Sequence, residues 1–338
     1  MKKNILFLFF SLSVSLVFGF GVAESSKELV TVYAYDSFTA EWGPGPELKR
    51  RFEEETGYTL QYVTFDDAPA VLSQAVIEGE NCRADVLVGI DNFNFRQAKD
   101  SGVLQAYKSK NVSRISPKEL IFDSSFLVTP YDYGYFAFMY DIHSKYPAPK
   151  TLADLTKKEY ARSVVIMDPR TSTPGTGLLM WTYAVYGDGD DFLNFWKKLK
   201  PSILTMTPGW TAGYGLFTNG EAPLALSYTT SEAYHRRYDN TDRYRALVFP
   251  EGHIKQVECL ALTKVAPNKE GGKAFIDFML SEKAQEVIPE NQWMYPVAMD
   301  APLPASFTSV KLPEKNLQIM QAPQNLESLI DRVIDILK

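Results

Sequence analysis

Positive charge, histidine and cysteine are all scarce in this chain. With 35 Lys and Arg against 41 Asp and Glu, the formal charge is −6. Nucleic acid, whose phosphates need a basic face, is therefore set aside as a partner. The three histidines, His143, His235 and His253, show no spacing such as H-E-x-x-H, so no metal site is expected. A G-x-S-x-G elbow and a phosphate loop ending in Lys and Ser/Thr are both missing, which leaves acyl and nucleotide hydrolysis without their usual machinery. The two cysteines, Cys82 and Cys259, lie far apart. An oxidising compartment would permit one bridge between them, and two buried thiols are the expectation.

Long apolar runs are missing too, except at the start. Lys2 and Lys3 precede an apolar run over residues 5–22, then small residues at 21–23 and polar Glu24, Ser25 and Ser26. This is the pattern of an export signal cleaved after Ala23, with an uncleaved anchor as the alternative. Cleavage removes two lysines and no acids, taking the charge from −6 to −8. With no cysteine following the run, a lipid anchor is not expected, and the mature chain should be free in the periplasm as a monomer. An acidic exported product suits a neutral or cationic small ligand.

What is present is an α/β rhythm. At 338 residues the chain exceeds one typical core, so two lobes are expected. Strand-like segments at 29–35, 58–65 and 84–90 alternate with helical ones at 46–55, 69–78 and 93–99, the order of a parallel sheet covered on both faces. A second set follows: strands at 163–167 and 223–228 and helices at 177–186, 191–198 and 211–217. Extended runs at 128–141 and 257–264 lie between and after the sets, and helices at 269–280 and 325–337 close the chain. The last has an apolar stripe that packs onto the body. The division expected is residues 24–130 for lobe 1, 131–256 for lobe 2 and 257–338 for the return to lobe 1 with the terminal helices. Two strands crossing between lobes make a hinge.

Chemistry concentrates in loops after strands. The turn MDPRTSTPGTG, residues 167–177, reads as strand end and helix start. If Pro174 begins the helix, Thr173 is the N-cap, and free N–H groups beside the Ser172 and Thr173 hydroxyls can either simply cap the helix or hold an anion. Aromatic residues stand beside glycine and proline at 42–46, 208–210, 227–234 and 291–296. Rings in such places line a cleft, and each stacked ring adds roughly 0.5–1.5 kcal/mol for a flat ligand. Asp36, Asp66 and Asp67 could supply counter-charge to a cation. The balance favours binding without catalysis.

The stretches TVYAYDSFTAEWGPGP (31–46), ADVLVGIDN (84–92), YDYGYFAFMYD (131–141), DPRTSTPGTGLL (168–179), LSYTTSEAYH (226–235), EGH (251–253) and NQWMYPVA (291–298) resemble the thiamine-binding periplasmic proteins. The resemblance implies a two-lobed type II periplasmic binding fold that closes on thiamine or its mono- or diphosphate and docks on the permease of an ABC importer. It also implies that Tyr35, Tyr234 and Trp293 enclose the vitamin, with Asp67 as a polar partner at its edge. Ser172, Thr173, Trp210, Tyr228, Thr229, Thr230 and Ser231 match the stretch holding the hydroxyethyl or phosphate end. Ala68 and Glu232 are binding positions where the family pattern has glycine and proline. Two alternatives remain: a ferric-iron receptor using Tyr228 and Tyr234 as phenolate ligands, and an exported hydrolase.

Overall fold

The structure is a computed structural model that describes residues 28–338; the expected export segment lies outside the described residues. Strands β1 (Leu29–Tyr35), β2 (Thr59–Phe65) and β3 (Val86–Asp91) alternate with helices α1 (Gly45–Thr56) and α2 (Ala68–Glu78). β1 runs parallel to β2, from Leu29 beside Thr59 to Tyr35 beside Phe65, and parallel to β3 on its other edge. All six residues of β3 are buried, which follows from its unbroken apolar run and from cover on both faces. α1 stops where Gly57 takes φ 78, a left-handed cap that glycine adopts without a Cβ clash.

Next comes β4 (Thr129–Asp141), a strand of 13 residues that changes partners half-way. The second set contains β5 (Val164–Met167), α3 (Thr173–Tyr186), α4 (Asp190–Leu199), β6 (Ile203–Thr207), α5 (Trp210–Thr218), β7 (Leu224–Tyr228), α6 (Ser231–Arg237) and β8 (Tyr244–Leu247). The chain returns through β9 (His253–Thr263) and ends with α7 (Lys269–Met279) and α8 (Leu326–Leu337).

One curled sheet joins everything, with main order β2-β1-β3-β9-β4-β7-β5-β6. From Thr129 to Tyr135, β4 pairs antiparallel with β9; from Phe136 onward it pairs with β7 and β8. β9 pairs with β4 on one side and β3 on the other, again antiparallel. These two strands carry the chain between a first core, containing Leu48, Phe52 and Phe275, and a second containing Trp181, Trp196 and Phe192. The apolar stripe of α8 packs into the second core through Leu329 and Val333. The expected segments at 177–186 and 257–264 each begin four residues earlier, at Thr173 and His253, because tertiary partners take up their first backbone groups. Cys82 and Cys259 are unbridged and buried.

Candidate cation-binding cleft

Between the two cores lies a cavity of about 260 Å³, just below the ~300–1,000 Å³ usual for ligand pockets. Its lining comes from loops that follow strands in both sets. β1 delivers Tyr35, whose neighbour Gly89 has φ +112; a Cβ there would lie 2.9 Å from both the Tyr35 ring and Ala68. Glycine is needed at that point for two cavity residues to approach β3. The Trp210 ring stacks on Tyr214 at 4.9 Å and faces Trp42 across the cleft at 6.4 Å. Trp42 itself is 49% exposed. Trp293 meets Tyr234 edge-on at 5.5 Å and stacks on Phe307 at 6.2 Å. Its backbone sits at φ 59 after a π turn, Ile288–Gln292, an uncommon conformation for a bulky residue and one that clusters at functional sites.

One wall of the cavity is built from helix N-termini. Asp67 caps α2 by accepting from Ala68 N at 2.8 Å. The same carboxylate accepts from Thr173 N at 3.4 Å and Trp210 N at 3.2 Å, the first helical residues of α3 and α5. An acid from the first set thus sits where two helix dipoles of the second set would hold an anion. The approach is close at Gly209, where a Cβ would lie 3.1 Å from Asp67 Oδ2, so a side chain there would push the carboxylate aside by a few tenths of an ångström. Burial pushes the Asp67 pKa up to about 6, against the lowering effect of the nearby Ser172 hydroxyl and the three N–H groups. Thr173 is the first helical residue and Ser172 the cap position, with no side-chain cap bond. This corrects the expected Thr173 cap: the helix starts one residue earlier, with Thr173 N donating to Asp67, Thr176 N donating to the Ser172 carbonyl, and Pro174 offering no N–H to a cap hydroxyl. Ser172 Oγ and Thr173 Oγ1 are buried without a hydrogen bond of good geometry.

The floor is acidic. Glu258, on β9, accepts from the Tyr35 and Tyr131 hydroxyls, each at 2.5 Å, and from Gln256 Nε2 at 3.2 Å. Tyr35 Oη also accepts from Gln292 Nε2 at 2.5 Å. Tyr228 Oη donates to Gln256 Oε1 at 2.5 Å. Burial raises the Glu258 pKa to about 7, with the phenols lowering it and the Asp91 and Asp67 carboxylates raising it further. Among the described residues lining the cavity there is no Lys, Arg or His. Such a site favours a bound positive charge.

Nine of the thirteen expected residues line the cavity together: Tyr35, Asp67, Ala68, Thr173, Trp210, Tyr228, Ser231, Tyr234 and Trp293. Ser172, Thr229, Thr230 and Glu232 stand behind it. Glu232 is held by Arg236 Nη2 at 2.8 Å, Arg245 Nη1 at 3.1 Å and Ala246 N at 3.1 Å, and so joins α6 to β8. Asp66 is exposed while Asp36 lines the cavity. His235 bonds Tyr214 Oη and Asp239, and His253 bonds Phe136 O and Phe249 N. Both imidazoles are thereby committed to structure. Sequence reading missed Glu258, Gln256 and Gln292. A lone acid in an otherwise apolar strand, VECLALT, was the available signal for the first.

The family model described as bacterial extracellular solute-binding protein matches residues 82–314. A thiamine-binding periplasmic protein of Brucella suis is 41% identical over 308 residues, covering 91% of each chain. The chain belongs to the thiamine-binding periplasmic protein family of the bacterial extracellular solute-binding proteins. A solved periplasmic thiamin binding protein superposes with a TM-score of 0.86 at 38% identity, over 92% of this chain and 97% of that one. The fold is therefore the two-lobed periplasmic binding fold, with β4 and β9 as its crossing hinge strands. An iron uptake protein of Synechocystis is more distant, at 26% identity over 85% of this chain and 81% of its own. No helix among the described residues is long and apolar enough to cross a membrane.

Proposed function

We propose that this chain is a periplasmic receptor, acting as a monomer without turnover, that captures thiamine and its mono- and diphosphate and hands them to an ABC importer permease. The observation that carries the reading is the cavity lining: stacked aromatic rings and carboxylates with no basic side chain. The thiazolium of thiamine is a permanent cation and its aminopyrimidine is flat, so rings and acids suit both parts. Tyr35, Tyr234 and Trp293 enclose the rings. Asp67 stands at the edge as the polar partner. Thr173, Trp210 and Ser231, backed by Ser172, Thr229 and Thr230, face the hydroxyethyl or phosphate end, where backbone N–H groups and unengaged hydroxyls supply donors. Backbone at Ala68, Tyr228 and Glu232 completes the frame. The lobes divide as 24–130, 131–256 and 257–338. The change of strand partner after Tyr135 and the run of β9 beside β3 support that division, with α8 docked on lobe 2.

A ferric site needs ionised phenols. Burial and the Glu258, Asp67, Asp91 and Asp132 carboxylates instead raise the Tyr228 pKa well above its ordinary value, and the protonated phenol donates to Gln256 Oε1 at 2.5 Å, a bond an iron-ligating phenolate could not keep. Calorimetric titration with thiamine, its mono- and diphosphate, and ferric citrate tests the reading: heat with the vitamin forms and none with ferric citrate supports it, and the reverse sinks it. Recovery of thiamine monophosphate unchanged after incubation tests the absence of turnover.

A further inference from the structure

The sheet places a second acid directly beside Glu258. Asp132 on β4 is the cross-strand partner of Glu258 on β9, and residues opposite one another in an antiparallel pair have Cβ atoms only ~4.5–5.5 Å apart. Asp132 is 0% exposed, Glu258 6%. Their surroundings differ. Glu258 has two phenol donors and an amide donor, whereas both Asp132 oxygens are buried with no hydrogen-bond partner. The groups facing the pair are Tyr35 from β1, Asp91 from β3, Asp67 from the start of α2, Tyr131 from β4, Tyr228 from β7 and the Cys259 thiol of β9 itself. None is basic. Lys255, three residues before Glu258, lies instead over the Tyr133 and Tyr135 rings, 3.8 Å from Glu119. Two buried carboxyls this close, with no cation between them, do not both ionise, so the pair retains a proton.

We propose that Glu258 and Asp132 form a proton-sharing carboxyl pair that serves as the counter-charge of the bound cation, so that capture of the thiazolium expels a proton from the cavity floor. The proposal rests on the reading of the ligand as thiamine. The proton passes to bulk buffer, and the pair's negative charge becomes the partner of the incoming positive one. Capture then tightens as pH rises. A ligand that prefers the ionised pair gains up to about tenfold in affinity per pH unit below the pair's free-state pKa and levels off above it.

The test is calorimetry of thiamine binding to the full mature chain at pH 6, 7 and 8, in buffers of low and high ionisation enthalpy. We expect release of between about half and one proton at pH 6 to 7, fading at pH 8. Asp132→Asn leaves Glu258 as a lone acid, still raised by burial and by Asp91 and Asp67 but freed of the carboxyl opposite, so it should release less of a proton at pH 7 than the unaltered protein and show a shallower rise of affinity with pH. Glu258→Gln should abolish release, and should weaken thiamine by more than tenfold while weakening an analogue with a neutral ring in place of the thiazolium by less than threefold. Thermal melts identify any variant that fails to fold, and either variant alone decides the matter. Binding of thiamine with no proton release, release undiminished in folded Asp132→Asn, or release persisting in folded Glu258→Gln and therefore arising at another acid, overturns the pair while leaving the receptor intact. Failure of the unaltered protein to bind thiamine at any pH overturns both.

Discussion

The wall and the floor of the cleft treat charge in opposite ways. On the wall, two helix N-termini from the second α/β set present donors, and a carboxylate from the first set takes them up. On the floor, carboxyls gather with phenols and amides but no cation. A single ligand carrying a cationic ring at one end and a hydroxyl or phosphate at the other satisfies both. The difference shows that the cavity is polarised along its length, so a uniform cation or a uniform anion of the same size would leave one end unmatched.

The strongest way to break this comparison is to remove a ring that serves neither end. Trp293→Ala should weaken thiamine and both esters alike by about 2 kcal/mol or more, read by titration calorimetry; unequal losses would place the indole at one end. Next, Asp67→Asn removes the charge that competes with a phosphate for the α3 and α5 donors. The ratio of monophosphate to thiamine affinity should rise by about 1–2 kcal/mol. A fall in that ratio would mean that Asp67 supports the phosphate. The same competition has a pH sign: Asp67 ionises through about 6, and because the ester's own second ionisation at ~6 is common to both proteins, the monophosphate-to-thiamine affinity ratio of the unaltered protein should fall relative to that of Asp67→Asn from pH 5 to pH 7. The smallest effect is expected at the hydroxyl behind the wall. Ser172→Ala should weaken the esters by about 1 kcal/mol and thiamine by less; equal losses for all three ligands would reduce the turn to a helix start.

Much of this was legible in the sequence because two signals agreed. Period-two and unbroken apolar runs marked β1, β3, β4 and β7, and glycine or proline marked the loops that carry Trp42, Trp210 and Trp293. Segments without such contrast were missed. Ile203–Thr207 mixes apolar and hydroxyl residues and is only half-buried. Ser231–Arg237 reads as polar loop until tertiary contacts from Tyr214, Tyr244 and Ala246 hold its His235 and Glu232. The site divided in the same manner. Residues adjacent in sequence, such as Ser172 with Thr173, could be grouped on local chemistry. The floor could not, since Tyr35, Tyr131, Asp132 and Glu258 meet only through strand order and register. Asp67 was visible as an acid after a strand, but its grip on two helices of the second set depends on how the two sets face one another.

Asp132 and Glu258 belong to the two strands that run between the cores, the ones about which the proposed lobes would swing. An acidic group mounted on a jaw would travel with it and meet its guest only at the end of closure. One mounted on the axle stays put: on the receptor reading proposed above, a vitamin drifting into an open form would already find its electrostatic berth, and any later clamping of the indoles would act on cargo that is moored.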